Sequence, residues 1–174
     1  MGMFDPTIYD NIKVVLEGAV YDLDLEGKII ITRREDLIDL SSMSRTFAIE
    51  FARQVGLPNK AEIHLHVHLS DLAAEILENP TAKPGCTLLI KLHTYVNDPE
   101  IDCPMIEAQL NAFWEQRPRI TQQISYLYGE QPEEYRNLIT LSFGRKIDES
   151  HLDDFSDLID YAFESLVWLD ERGT

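Results

Sequence analysis

The chain has 174 residues, of which 44% are hydrophobic and 26% are charged, and these values suit one folded α+β domain spanning residues 1–174. Its 31 acidic and 15 basic residues give a formal charge of -16, which repels nucleic-acid phosphates and anionic lipid surfaces. Binding to nucleic acid is therefore not expected, unless the protein mimics a nucleic acid.

Two cysteines, Cys86 and Cys103, are too few and too badly spaced for a disulfide framework or a CxxC motif. They fit a reducing compartment, and no apolar run has the length that a membrane span requires. The sequence therefore predicts a cytoplasmic protein with no membrane contact.

The first third of the chain contains two β-rich runs around the turn residues Glu26-Gly27-Lys28. This pattern predicts a hairpin in which residues 12–24 pair with residues 28–34. Apolar residues then recur at helical spacing between serines and the stop signals Gly56 and Pro58, so a helix is expected over 42–55.

Residues 61–69 alternate strictly between apolar and polar side chains, which predicts a strand with one buried face. Ser70-Asp71 resembles a helix start, and the short helix that follows should end at Asn79-Pro80. Alternation returns over 86–96, so a second strand of the same kind is expected there.

The last third of the chain is mostly helical in pattern. A helix is expected from Pro104, with a break at Pro118 and a second helical piece over 120–127. Residues 137–145 predict another strand. A capping pattern at Ser150 then opens an amphipathic C-terminal helix.

Strands and helices are thus interspersed without strict alternation. This order predicts an α+β fold with a mixed or largely antiparallel sheet of about five strands and helices packed mainly on one face. The other face of the middle strands carries His, Lys, Thr and Tyr. It should therefore lie in water, in a groove or against a partner.

Three of the five histidines, His64, His66 and His68, occupy alternate positions in AEIHLHVHLS. Neighbouring members of such a row project side by side, so two of them are able to bind one metal ion. The three together cannot bind one ion, because the main-chain positions of His64 and His68 are about 13 Å apart along a strand.

A complete metal site would need a further ligand, and His93 on the next polar strand face is the first choice, with Glu62 and His151 as substitutes. Zinc or another divalent transition metal would suit these ligands. Tyr95 and Glu62 are the candidate catalytic groups beside them. Two other interpretations remain open, a polar strand face without a ligand and a pH-sensitive histidine cluster.

The leading functional hypothesis is a non-catalytic protein that acts through protein-protein contacts, as a homo-oligomer that uses the polar sheet face or a sheet edge. The alternative is a zinc-type hydrolase in which two of the row histidines and His93 hold the metal. No cofactor motif accompanies either hypothesis.

Overall fold

The computed structural model describes residues 7–130 and 132–172, which form an α+β fold. The α-helices of this part are α1 (Ile8–Leu25), α2 (Leu69–Ile76), α3 (Pro99–Phe113) and α4 (Phe155–Arg172), and a 3-10 helix (Glu149–Asp154) precedes α4. The strands are β1 (Ile30–Asp39), β2 (Ser44–Ala52), β3 (Lys60–Val67), β4 (Thr87–Val96), β5 (Arg119–Ser125) and β6 (Tyr135–Ser142).

The six strands form one antiparallel sheet in the order β1-β2-β3-β4-β6-β5. The α+β class and the largely antiparallel sheet are as predicted, with one strand more than expected. β3, β4, β6, α2 and α4 lie close to their predicted positions, and β1 and β5 are the two edges.

The α-helices that contact the sheet, α1, α3 and α4, pack on one of its faces, as predicted. Ile63 and Ile90 share a row on that face with Ile49 and Leu141, and all four side chains are fully buried. Covering such side chains removes apolar surface from water and supplies most of the driving force for the fold. The opposite face is left without a helix in the part of the chain that the structure describes.

The predicted first strand of a hairpin, residues 12–24, was wrong, because these residues belong to α1. Its buried side chains are Tyr9, Ile12, Leu16, Val20 and Leu23, spaced for one face of a helix. Thr7 and Asp10 close a reciprocal capping box at the start. Valines and isoleucines favour strands locally, but the buried stripe against the sheet outweighs that preference.

The predicted helix over 42–55 was also wrong, because residues 44–52 form β2. This strand lies between β1 and β3, and both of its faces are largely buried. Phe47, Ile49 and Phe51 enter the core, while Ala48 and Glu50 are covered on the other side. Because both faces are covered, the strand lacks the alternation of apolar and polar residues from which a strand is predicted.

The predicted helical piece over 120–127 was wrong as well, since β5 occupies 119–125. Ile120 and Ile124 are four residues apart, which fits a helix face and a strand face equally well. Burial alternates residue by residue along β5, as one-sided packing under α3 requires. No helix of the described residues is long and apolar enough to cross a membrane.

Candidate functional site

The helix-free side of the sheet, called here the open face, gathers the polar side chains of all six strands. Strand register places these residues in rows that cross the sheet, such as Arg33, Glu50, Glu62 and Lys91. The open face includes Arg33, Glu35, Leu37, Asp39, Ser44, Thr46, Ala48, Glu50, Lys60, Glu62, His64, His66, Thr87, Leu89, Lys91, His93, Tyr95, Arg119, Thr121, Gln123, Ser125, Arg136, Leu138, Thr140 and Ser142.

Charge on the open face differs from charge on the rest of the protein. The face holds five basic residues and four acidic ones, leaving 10 of the 15 basic and 27 of the 31 acidic residues elsewhere in the sequence. The basic members are Arg33, Lys60, Lys91, Arg119 and Arg136. A strongly acidic protein thus presents one face without net negative charge, which also argues against nucleic-acid mimicry by that face.

The three row histidines extend from the centre of the open face towards one end of it. His64 stands opposite Leu89, and His66 stands opposite Thr87. His68 comes after the strand and is the residue before the first turn of α2. The His66 and His68 rings meet edge to face with centroids 4.6 Å apart.

His93 lies elsewhere on the face, opposite Lys60. It is four residues along β4 from the partner of His64 and six from the partner of His66. At the rise of a strand these separations are about 13 and 20 Å. The structure therefore brings β3 and β4 together as neighbours, but it does not bring His93 to the row histidines.

The His64 and His66 side chains are half-buried. Thr46 Oγ1 and His66 Nδ1 form a hydrogen bond of 2.8 Å, whereas His64 Nδ1 is buried without a partner in the described residues. Burial lowers the pKa of His64, and the positive charge of Lys91 lowers it further. Burial and the neighbouring His68 lower the pKa of His66. Both rings are therefore held in the neutral form.

His93 instead joins a cluster with two carboxylates, Glu50 and Glu62. One potential ligand atom from each of the three side chains lies within 4.8 Å of the other two, and His93 Nε2 is 3.5 Å from Glu62 Oε2. Carboxylate and imidazole ligands at such spacing suit a divalent transition metal.

The same carboxylates are already neutralised by basic side chains. Glu62 Oε2 accepts a hydrogen bond of 2.8 Å from Arg33 Nη2, and Glu50 Oε1 accepts one of 3.1 Å from Lys60 Nζ. Thr32 Oγ1 also donates to Glu50 Oε1, at 2.7 Å. A metal ion at this place would have to displace Arg33 and Lys60.

Glu62 is ionised despite being 4% exposed. Burial alone would raise the pKa of its carboxyl, but His93, Lys91 and Arg33 outweigh burial and hold that pKa below its ordinary value. A carboxylate held in this way is a poor proton donor at neutral pH, and it anchors the cations around it.

Tyr95, the other candidate catalytic residue, lies two residues after His93 on the same face and opposite Arg136. Its main-chain carbonyl accepts a 2.8 Å hydrogen bond from Arg172 of α4. Glu62, His93 and Tyr95 thus share one region of the open face. A shallow cavity of about 370 Å³ lies beside them, lined by Lys60, His93, Tyr95 and Arg136 among others.

A larger concave region of about 560 Å³ covers the centre of the open face. Leu37 and Ile38 of β1 form one wall, and Lys91 and His64 lie in its floor. Lys91 forms no ion pair with any described residue. It stands opposite Glu62 in the strand register and helps to hold that carboxyl ionised, but its ammonium group contacts no carboxylate of the described residues directly.

Sequence reasoning missed Arg33 and Glu50, which complete the Glu62 cluster. Both lie in segments whose secondary structure or pairing partner was misassigned, so their faces were unknown. Knowledge that β2 pairs with both β1 and β3 would have identified them, because this pairing places Arg33, Glu50 and Glu62 in one row.

A third cavity, of about 460 Å³, lies on the helix side between the end of α3 and the start of α4. Trp114, Phe143 and Tyr161 supply aromatic walls, with the Trp114 ring 5.9 Å from Phe143 and 5.5 Å from Tyr161 between centroids. Arg117, Arg145 and three acidic residues form its rim, so no single charge class of ligand is favoured.

Comparison of the chain with models of protein families, with curated proteins and with solved structures finds no match in any of the three. Function is therefore argued from the open face itself.

Proposed function

We propose that this protein is a non-catalytic binding module whose open face holds an extended segment of another polypeptide. Lys91 carries the proposal, because it lies half-buried in the floor of the central concavity, where Glu62 is its cross-strand neighbour but no carboxylate of the described residues contacts its ammonium group directly. A carboxylate from a partner would give Lys91 the direct charge-assisted hydrogen bond that Arg33 and Lys60 already have within the chain.

The surroundings of Lys91 favour a polypeptide over a small anion. Leu37, Leu89 and Leu138 interleave with the charged side chains of the open face, so the face offers apolar contacts as well as a cation. An extended segment projects alternate side chains to one side with a spacing of about 6.6 Å. Successive rows of the open face are two residues apart along each strand and therefore have the same spacing. The proposed partner segment carries carboxylates and aliphatic side chains on the side that faces the sheet.

The test uses fluorescence anisotropy with a labelled peptide in which glutamate and leucine share one side of an extended strand. The same peptide with glutamine in place of glutamate serves as a probe without charge. We expect the glutamate peptide to bind more tightly, and Lys91→Glu to weaken its binding at least tenfold, about 1.4 kcal/mol.

Lys83→Glu is the matched control, because it makes the same change of charge at an exposed position away from the open face. We expect it to leave the dissociation constant within about twofold. Equal binding of the two peptides, or an equal loss in the two variants, would count against a site at Lys91.

A second candidate function is binding of zinc or another divalent transition metal, and the approach of Glu50, Glu62 and His93 to within 4.8 Å favours it. This set differs from the one expected from sequence, two of His64, His66 and His68 with His93, which stays a prediction. Hydrolysis at the Glu50, Glu62 and His93 set would need Tyr95 as the assisting group, because Glu62 is a ligand there, whereas the set expected from sequence leaves both Tyr95 and Glu62 for that role.

Calorimetric titration of the untagged protein with zinc separates the metal sets. Binding that His93→Ala abolishes and His66→Ala leaves unchanged would support the Glu50, Glu62 and His93 set. Loss in both variants would support the set expected from sequence. Absence of zinc binding to the unmodified protein would remove both.

A further inference from the structure

The two edges of the sheet are built differently. β1 carries four consecutive charged residues, Arg33 to Asp36, and an irregularity in its pairing between Ile31 and Arg33. Charges and bulges are the usual devices that stop an edge strand from pairing with another molecule. β5 pairs without such an irregularity, and Arg119 at its start is its one charged residue, because the residues from Ile120 to Ser125 are uncharged and include no proline or glycine.

We propose that β5 pairs antiparallel with β5 of a second copy of this protein, joining two six-stranded sheets into one of twelve strands. No described strand covers the outer edge of β5, so its main-chain groups are available for such a ladder. A two-fold axis perpendicular to the sheet keeps the helical layers of both copies on the same side. The self-pairing goes beyond the binding function proposed above, because the edge and not the open face carries it.

The side chains of β5 are complementary to themselves in one register. With the axis at Gln122, Ile120 stands opposite Ile124 of the partner subunit on the helix side. Thr121 stands opposite Gln123 of the partner subunit on the open side. Each pair occurs twice by symmetry, and apolar side chains meet apolar ones. Moving the axis by one residue in either direction places an isoleucine opposite a glutamine.

Charge at the two ends of the edge supports the antiparallel arrangement. Arg119 begins the strand, is exposed and forms no ion pair with a described residue, so it supplies the net positive charge of this end. The exposed Arg117 precedes it and is paired with Glu115. Beyond the other end, the loop to β6 carries exposed Glu130, Glu133 and Glu134. A two-fold axis through the middle of β5 brings the basic end of one copy to the acidic end of the other, and this attraction offsets part of the repulsion between two chains of charge -16.

The loop next to the edge also exposes apolar surface. Leu127 is 69% exposed, and the Tyr128 side chain is as exposed as in an extended chain. Tyr126 is 61% exposed, and its ring contacts Tyr135 edge to face at 5.5 Å between centroids. In the register described, Leu127 lies level with Arg117 of the partner subunit, so pairing covers surface that a monomer leaves in water.

The test is a charge exchange at Thr121 and Gln123, which are both exposed and therefore tolerate substitution without loss of the fold. We expect light scattering over a dilution series to give twice the 20.0 kDa chain mass for the unmodified protein. Thr121→Lys with Gln123→Lys sets lysine opposite lysine in both pairs. The dimer dissociation constant should rise about tenfold or more.

Three controls separate pairing from net charge. Thr121→Glu with Gln123→Lys leaves net charge unchanged and sets opposite charges across the axis, so the dimer should be retained. Thr121→Glu with Gln123→Glu alone should be monomeric. An equimolar mixture of the double-lysine and double-glutamate chains should form heterodimers. A monomeric unmodified protein, or a dimer that the double-lysine change leaves intact, would overturn the proposal.

Disulfide trapping checks the register. A mixture of Thr121→Cys and Gln123→Cys chains should crosslink under mild oxidation, and each chain alone should crosslink much less. The reverse result would overturn the register. Peptide binding at Lys91 is measured separately, so a monomer that still binds the glutamate peptide would overturn the self-pairing alone.

Discussion

Arg33 of β1 reaches across β2 and donates a hydrogen bond of 2.8 Å to Glu62 of β3. The guanidinium is partly in water, whereas the carboxylate is almost fully buried. The pair therefore connects the edge of the sheet to its centre and supplies charge that a buried carboxylate requires.

Replacing Arg33 by methionine should leave Glu62 with less compensation. We expect the pKa of Glu62 to rise, and the free energy of unfolding at neutral pH to fall by about 1–3 kcal/mol. Urea titration and carboxyl-carbon NMR measure the two quantities. Arg34→Met is the matched control, because Arg34 pairs with Glu17 on the surface, where an ion pair contributes about 0–1 kcal/mol. Equal losses in both variants would contradict a special role for Arg33.

Acid should destabilise the protein through His64 and His66. Burial lowers the pKa of both imidazoles, assisted by Lys91 at His64 and by His68 at His66. The unfolded chain then binds protons more readily than the folded protein. Stability is complete above the ordinary histidine pKa of about 6.5 and is lost as pH falls through and below it.

A variant with His64→Gln and His66→Gln should therefore lose less stability than the unmodified protein on going from about pH 7.5 to pH 5.5. Urea midpoints at the two pH values give the comparison. His151→Gln is a control on another element, because His151 belongs to the 3-10 helix and its Nδ1 accepts a hydrogen bond from the main-chain N–H of Asp148. Parallel pH dependence in the double variant and the unmodified protein would contradict the assignment.

The sequence predicts elements whose burial is one-sided. β3 and β4 alternate because only one of their faces enters the core, and α4 shows its buried stripe because its other side is in water. α1 and β2 were misassigned for different reasons, since α1 is also buried on one side only whereas β2 is covered on both. Val14 is 66% exposed although it is β-branched, and Glu50 is buried although it is charged, so local composition indicates the wrong element in both segments.

The site was predictable in part for a related reason. The alternation of β3 and β4 places Glu62 and His93 on one face, and the structure confirms that these strands are neighbours. The register between the two strands could not be predicted in this way, because it depends on the connection between the strands and on core packing. The position of His93 opposite Lys60, far from His66, follows from those contacts and from no pattern within either strand.

Trp114 and Ser165 provide a test of polar groups within the helical layer. The Trp114 indole N–H donates to Ser165 Oγ at 2.9 Å, and both residues are buried. Ser165→Ala removes the acceptor and leaves a buried donor unpaired, so the free energy of unfolding should fall by about 1–3 kcal/mol. Ser156→Ala on the exposed side of α4 should change it by no more than about 0.5 kcal/mol. Similar values for the two variants would contradict the role of the bond.

Two glycines should respond in opposite directions to the same substitution. A Cβ atom at Gly85 would lie 2.8 Å from the main-chain oxygen of Ile147, next to the bridge in which Cys86 and Ile147 exchange 2.8 Å hydrogen bonds. Main chain cannot move aside as a flexible side chain does, so Gly85→Ala must either break this bridge or shift the segment before the 3-10 helix. We expect a loss of about 1–3 kcal/mol in the free energy of unfolding.

Gly18 is exposed within α1, and a Cβ atom there would meet nothing within 4 Å. Alanine at this position restricts the unfolded chain and favours the helix, so Gly18→Ala should raise the free energy of unfolding by about 0.5–1 kcal/mol. Thermal unfolding followed by circular dichroism measures both variants against the unmodified protein. A Gly85→Ala protein as stable as Gly18→Ala would show that the 85–147 contact is loose. The bridge between Cys86 and Ile147 would then not be what holds the start of β4 in its register.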